Sequence, residues 1–274
     1  MDAHRQPELT LSDGQRMPQL GLGVWQTPPE DAATVVAAAV GLGYRAVDTA
    51  AGYNNEEGVG AALAEHPDVF LTTKLRNDDQ GYDEALRAFE ASARKLRRQT
   101  IDLYLVHWPS PWRGRYVDSW KALVRLQKEG RITSIGVSNF TAEHLDRIIG
   151  ETGVAPVLNQ IEVHPRFAQR AMREADAARE VATQSWSPLG QGSLLSDPVL
   201  TAIGGKHGKT AAQVVIRWHL DSGLIVIPKS VRPERMKENI DVFDFRLDAD
   251  DMEKIAGLDA DDGRIGPDPM TAKF

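Results

Sequence analysis

Cysteine is absent from all 274 residues. That absence removes disulfide bridges, thiolate nucleophiles and cysteine-ligated metals together, and no metal site is assigned elsewhere in the chain. Long apolar runs are missing too: none approaches the roughly 20 residues that a membrane-spanning helix needs. Met1–Leu9 has no apolar core, so no secretory signal is expected there. There is no basic surplus either, because 32 Lys and Arg stand against 39 Asp and Glu, for a net charge of −7. Such a chain has no electrostatic reason to hold nucleic acid or an anionic membrane. Linkers rich in Pro, Gly or Ser and low-complexity tracts are also lacking, so residues 1–274 read as one domain. The resulting expectation is a cytoplasmic, monomeric protein whose partner is a small molecule.

The chain contains a regular alternation of apolar segments and helical patterns. Short β-rich apolar runs occur at Leu20–Trp25, Tyr44–Asp48, Val69–Thr73, Ile101–Val106, Ile132–Val137, Val157–Ile161, Val181–Ser187 and Leu224–Ile227. Between them apolar residues recur at helical spacing, as in Leu86, Phe89, Ala93 and Leu96, or Trp120, Leu123 and Val124. Thr27 with Glu30, ahead of Pro28 at the opening turn, and Thr210 with Gln213 fit capping boxes. Gly43, Gly130, Gly150 and Gly223 mark expected helix ends. Eight strands alternating with helices imply a parallel sheet, and eight strands close into a barrel. The fold class is therefore α/β, a single (β/α)8 (TIM) barrel. Leu9-Thr10-Leu11, a turn at Ser12–Gln15 and then Met17 add an N-terminal β-hairpin.

Active sites of such barrels form at the C-terminal ends of the strands. The residues expected there are Trp25, Asp48 with Tyr53, Lys74, His107 with Trp108, Ser138 with Asn139, Gln160 with Glu162, Trp186 with Ser187, and Lys229 with Ser230. Asp48, Tyr53, Lys74 and His107 make sense as proton-transfer machinery. A phenol with a pKa near ~10 is a poor acid at neutral pH. A neighbouring ammonium favours the phenolate, and a carboxylate beyond it keeps the ammonium charged and in place. Asp48 would then hold Lys74, Lys74 would tune Tyr53, and Tyr53 would protonate an oxygen that His107 orients. Taken singly, each has a plainer reading: an ion pair at the mouth for Asp48 and Lys74, packing for Tyr53, a core histidine for His107, rim packing for the tryptophans.

These residues lie in segments that resemble the aldo-keto reductase family. The segments are Asp48-Thr49-Ala50-Ala51-Gly52-Tyr53-Asn54-Asn55-Glu56, Thr72-Thr73-Lys74-Leu75, Leu103-Tyr104-Leu105-Val106-His107-Trp108-Pro109 and Ile135-Gly136-Val137-Ser138-Asn139-Phe140. Asn159-Gln160-Ile161-Glu162-Val163-His164-Pro165, Ser185-Trp186-Ser187-Pro188-Leu189-Gly190-Gln191-Gly192 and Ile227-Pro228-Lys229-Ser230 follow in order. The likeness runs from Leu9 to Phe245. Within the family the chain looks most like the bacterial 2,5-diketo-D-gluconate reductase branch, with Trp186 where many relatives have tyrosine. The resemblance implies an NADP(H)-dependent oxidoreductase acting on CH–OH groups, which reduces aldehydes, ketones or dicarbonyls with Tyr53 as proton donor. It implies a nicotinamide lying against Trp186 with its carboxamide held by Ser138, Asn139 and Gln160. Further cofactor contacts carried over are Ser187, Leu189, Gln191, Ile227 and Val231. Two residues depart from the family pattern: Arg76 replaces a common tryptophan and Asn54 a usual glycine. His66-Pro67-Asp68 also looks like a trimmed loop at the bottom of the barrel.

No complete Gly-x-Gly-x-x-Gly follows a strand; Gly21-Leu22-Gly23 lacks the third glycine and reads as barrel packing. The end of the eighth strand offers another anion site, because Lys229 to Arg235 leads into a helix start. Lys229 and Arg235 suit a 2′-phosphate, Ser230 between them is a further cofactor contact, and Glu238 with Asn239 would meet the adenine. A basic, solvated helix start is the plainer alternative. Gly204–Thr210 ends like a P-loop but lacks its first glycine, and Asn139-Phe140-Thr141 is a glycosylation sequon only in a secreted protein. Trp25 and Trp108, with Trp112 nearby, suggest an aromatic-walled substrate pocket that His107 completes, and Arg76, Arg113 or Arg115 could attract acidic substrates. Two other activities stay open: a cofactor-binding regulatory subunit with little turnover, and a Schiff-base lyase using Lys74.

Overall fold

The computed structural model describes residues 6–273. Of the Met1–Leu9 stretch, residues 1–5 lie outside the described residues. The expected hairpin is present as β1 (Glu8–Thr10) and β2 (Arg16–Pro18), antiparallel with Leu9 opposite Met17. It closes the lower end of the barrel. Leu11 and Met17 pack with Leu103, Leu105, Val157, Leu158 and Ile225, and Ser134 donates to the Asp13 carboxylate at 2.6 Å.

Eight parallel strands follow: β3 (Leu22–Gly23), β4 (Ala46–Asp48), β5 (Phe70–Leu75), β6 (Ile101–Val106), β7 (Ile132–Ser138), β8 (Leu158–Glu162), β9 (Ala182–Trp186) and β10 (Ile225–Val226). Each pairs with the next in chain order. The first and last meet through parallel bridges between Leu20 and Val226 and between Gly23 and Lys229. That seam requires close backbone approach, since a Cβ on Gly23 would lie 2.8 Å from the carbonyl oxygen of Ile227.

Around the strands lie α1 (Pro29–Gly41), α2 (Glu56–Ala62), α3 (Tyr82–Leu96), α4 (Tyr116–Lys128) and α5 (Ala142–Thr152). The ring continues with α6 (Arg170–Ala177), α7 (Pro198–His207), α8 (Ala211–Asp221), α9 (Pro233–Ile240) and α10 (Ala249–Ala256). Their apolar faces pack on the outside of the strands, with Phe89, Trp120, Leu123, Leu145 and Ile148 all fully buried. No helix among the described residues is long and apolar enough to cross a membrane.

Two helix boundaries differ from the sequence reading. Thr27 does not cap α1: Pro28 occupies the capping position, Pro29 follows at the first helical position, and the buried Thr27 hydroxyl has no hydrogen-bond partner. The paired prolines set the backbone there and move the helix start one residue on, beyond the threonine's reach. Gly150 lies inside α5, which ends at Gly153 in the left-handed region (φ 69°). The box at Thr210 and Gln213 forms as expected. Gly43, Gly130 and Gly223 follow their helices with positive φ.

Candidate active site

Strand alternation sends every second side chain inward. At the upper mouth those inward residues form one polar layer in an otherwise apolar barrel. Lys74, fully buried on β5, forms a short ion pair with Asp48 at the end of β4. Its ammonium also donates to the Thr49 carbonyl at 2.8 Å and reaches the Tyr53 hydroxyl at 3.4 Å. The second oxygen of Asp48 accepts from Gln160 on β8 at 2.7 Å, and the same amide nitrogen lies 2.7 Å from Gln184 Oε1 on β9. The carboxylate therefore has a donor on each oxygen, as a buried charge requires.

Tyr53 sits on a single 3-10 turn, Ala51–Tyr53, which ends at Asn54 in the left-handed conformation (φ 58°). This accounts for the departure at that position. Glycine enters the left-handed region at no cost, and asparagine tolerates it better than most other residues. Two neighbours fix the loop from behind. Asn55 accepts from Thr49 Oγ1 at 2.7 Å and donates to the carbonyl of Val24 at 2.9 Å. Glu56 accepts from Thr73 at 2.7 Å and Ser92 at 3.2 Å. Sequence reasoning did not assign roles to Asn55, Glu56 or Gln184. Gln184 carried a signal, a polar side chain in the middle of a strand, whereas Asn55 and Glu56 stand at the start of α2, where polar residues are usual.

His107 follows the end of β6 and meets the Tyr53 ring edge-on, with centroids 5.6 Å apart. Burial, reinforced by the Lys74 charge, lowers its pKa to about 3, so the imidazole is neutral at physiological pH. Burial pushes the Tyr53 phenol up while Lys74 pulls it back. Desolvation outweighs the pull of Lys74, and the phenol stays above its ordinary value. For Lys74, burial opposes the charge and Asp48 more than offsets it, holding the ammonium above its usual range. Asp48 itself is pushed up by burial, against the pull of Lys74 and Gln160.

A second set of residues connects to this centre. The Asn139 amide nitrogen donates to the His107 carbonyl and to Ser138 Oγ, both at 3.0 Å. Ser138 Oγ donates to the Gln160 carbonyl at 2.7 Å. The Trp186 indole nitrogen donates to Asn139 Oδ1 at 2.8 Å. Ser138, Asn139, Gln160 and Trp186 thus form one network with His107 and Asp48. Asn139, Ser187 and Gln191 all hold positive φ (62°, 47° and 53°). Non-glycine strain of this kind collects where surrounding structure imposes a binding geometry. Leu189 is half-buried beside them.

The end of β10 lies one strand further around the barrel. Lys229, Val231 and Arg235 are exposed, while Ile227, Ser230 and Asn239 are buried. Ser230 Oγ accepts from the Arg232 amide at 3.1 Å, shaping the entry to α9. The Glu238 carboxylate accepts from Thr210 at 2.7 Å. On the rim Trp25 and Trp112 are exposed and Trp108 is half-buried. Arg76 pairs with Asp78 at 3.5 Å, and Arg113 reaches the same carboxylate at 2.5 Å. Arg115 pairs with Glu84 at 3.0 Å. Arg76 and its neighbours are therefore engaged with surface carboxylates, the alternative to attracting acidic substrates.

A closed parallel barrel thus carries a buried Asp48–Lys74 pair, a half-buried Tyr53 and a neutral histidine at its upper mouth, and the family it matches makes it an oxidoreductase. Residues 17–260 match the Aldo/keto reductase family. The chain is 55% identical to an aldo-keto reductase of Mycolicibacterium smegmatis over 272 residues, 98% of each chain. It is 52% identical to the methylglyoxal reductase DkgA of Escherichia coli K12 over 267 residues, 95% of this chain and 96% of the relative. The crystal structure of the apo form of Gox0644 superposes with a TM-score of 0.98 at 61% identity, covering 98% of this chain and 100% of that one. A mutant of Gox0644 has been crystallised with NADPH. The chain belongs to the aldo/keto reductase family.

Proposed function

We propose that this enzyme reduces aldehydes, ketones or dicarbonyls to alcohols, acting as a monomer on one barrel domain, with Tyr53 as the proton donor. Its cofactor is NADP(H). The residues fit that group. A half-buried indole at the end of β9 offers a flat face, Asn139 bonds its nitrogen and links it to Ser138 and Gln160, and exposed Lys229 and Arg235 stand at a helix start. When bound, NADPH supplies the hydride. Trp186 would support the nicotinamide, and Lys229, Ser230 and Arg235 would hold the 2′-phosphate. Ser187, Leu189, Gln191, Ile227 and Val231 would line the path between, and Glu238 with Asn239 would meet the adenine.

One observation carries the reading: the Tyr53 hydroxyl lies 3.4 Å from an ammonium that has no exposure to solvent. The phenol remains protonated at neutral pH, where its ordinary pKa of ~10 already keeps the proton and burial holds it more firmly. Once its proton passes to the developing alkoxide, the phenolate is stabilised by Lys74, whose charge is fixed by Asp48. His107 is neutral, so it orients the carbonyl oxygen through an N–H without competing as the acid. Trp25 and Trp108 would flank the substrate. The same geometry argues against Schiff-base chemistry at Lys74, because that nitrogen is already surrounded by three oxygens and is not exposed. The relatives called methylglyoxal reductases favour small dicarbonyls among the substrates.

The test is Tyr53→Phe, assayed by NADPH oxidation over a panel of aldehydes, ketones and dicarbonyls. Turnover should fall by about 10²–10⁴, the usual contribution of a positioned acid, with NADPH affinity unchanged. Turnover within a few-fold of the parent would refute the assignment.

A further inference from the structure

We infer that Glu162 is a latch: it holds the C-terminal segment 263–270 against the back of Trp186, and so positions the indole on which the cofactor is placed above. The role given to the indole rests on the proposed function; the latch does not.

Glu162 is the last residue of β8, facing the mouth two positions after Gln160, and it is 1% exposed. A carboxylate buried at that level needs donors. None comes from Lys or Arg. The Ile265 amide donates to Oε1 at 2.7 Å, the Gly266 amide donates to Oε2 at 2.9 Å, and His164 Nε2 lies 3.1 Å from Oε1. Burial alone would push this carboxyl up; the His164 contact and the two amide bonds reverse that and leave it below the usual range. Two consecutive backbone amides on the two oxygens of one carboxylate make a bidentate grip on the chain itself, independent of the tail's side chains.

The contact is also sterically specific. A Cβ on Gly266 would lie 2.3 Å from the benzo edge of Trp186 and 3.0 Å from Glu162 Oε2. A Cβ on Gly263 would lie 1.7 Å from the Arg166 carbonyl oxygen. Both glycines stand where the tail backbone meets the barrel without an intervening side chain. Arg264 stacks over Phe167 at 4.6 Å, in the same connection between β8 and α6. The indole is therefore fixed at two ends, by Asn139 at its nitrogen and by Gly266 at its far edge. Met270, Arg264 and Asp268 line a small cavity together with Asn139, Glu162 and Trp186, so the segment stays beside the same side chains along its length.

The experiment uses the full chain and three variants: Glu162→Ala, Glu162→Gln and Gly266→Val. Trypsin cleavage after Arg264, identified by mass, reads the latch directly. The alanine variant should be cut at least about tenfold faster than the parent, the scale set by losing hydrogen bonds to a charged acceptor. Glutamine keeps one acceptor oxygen and should fall between them. Gly266→Val leaves the carboxylate in place and adds a side chain where the indole stands; it too should be cut faster. In all three, NADPH should dissociate several-fold faster, measured by stopped-flow fluorescence. Cleavage after Arg264 at the parental rate in both Glu162→Ala and Gly266→Val overturns the latch. Faster cleavage with unchanged NADPH dissociation overturns its support of the indole, provided Trp186→Ala weakens NADPH. If Trp186→Ala leaves NADPH binding intact, the placement of the nicotinamide fails instead, while the cleavage rates still decide the latch.

Discussion

Replacing Lys74 by methionine separates what the buried cation does for stability from what it does for chemistry. Methionine matches the length of the lysine stem and removes only the charge. The ammonium has no solvent exposure and holds Asp48, the Thr49 carbonyl and Tyr53. Its loss leaves Asp48 without a counter-charge at 3% exposure, with Gln160 as its remaining side-chain donor at 2.7 Å. Breaking one side of a buried pair costs about 3–5 kcal/mol, against a total stability of roughly 5–15 kcal/mol. At roughly 2–4 °C per kcal/mol for a chain near this size, Lys74→Met should lower Tm by about 6–20 °C. Neutralising the stranded carboxylate should reverse much of this. Asp48→Asn combined with Lys74→Met should recover more than half of the lost Tm, because a neutral amide in that place needs no counter-charge. Turnover should not recover, staying about 10²–10⁴ below the parent because nothing then stabilises the Tyr53 phenolate. Calorimetry and NADPH-coupled rates on the two single variants and the double variant complete the cycle. A Tm unchanged in Lys74→Met, a double variant less stable than Lys74→Met alone, or turnover restored in the double variant would each refute the reasoning.

Two further outcomes follow from the site and the core. Arg235→Ala should weaken NADPH roughly ten- to a hundredfold, the value of a charge-assisted bond to phosphate, and leave NADH nearly unchanged; equal losses by fluorescence titration would make the residue structural. Asp176, fully buried on α6 and held by Asn159 and Thr183, is pushed up to about 7 by burial. Its folded pKa lies above the unfolded value, so the folded state holds the extra proton, and stability from this group is lost as pH rises from about 4 through 7. Asp176→Asn should therefore gain in Tm over the parent between pH 4 and pH 8, and a constant difference across that range would contradict the assignment.

The barrel was legible because its strands are apolar runs of the expected period and length. All eight agree with the structure to within two residues at each end. The two at the seam, β3 and β10, were read as longer, because Leu20–Trp25 and Leu224–Ile227 continue the apolar pattern past the point where the backbone still pairs in a ladder. Asp48, Tyr53, Lys74 and His107 could be grouped from sequence because they fall at strand ends that converge in any such barrel. The donors around them were harder to see. Whether Arg76 faces the substrate or Asp78 is decided by a side-chain direction that no periodicity encodes, and Gln184 could be recognised as a partner of Gln160 only once the strands were in register. The latch was beyond reach for a related reason. Glu162 and Gly266 are far apart in sequence, and a tail with no regular secondary structure carries no pattern to follow.

The placement of the two ends of the described chain has a practical consequence for attaching it to anything. The hairpin seals the barrel on the face opposite the catalytic mouth, while segment 263–270 near the other end of the described chain crosses to that mouth and runs beside Trp186. A label, bead or fusion partner joined before residue 6 therefore emerges with the whole barrel between it and incoming substrate. The same object joined after residue 273 begins next to the opening, where its bulk and its pull would bear on the segment gripped by Glu162. For an electrode or a column packed with this enzyme, tethering through the hairpin side leaves every mouth facing the solution.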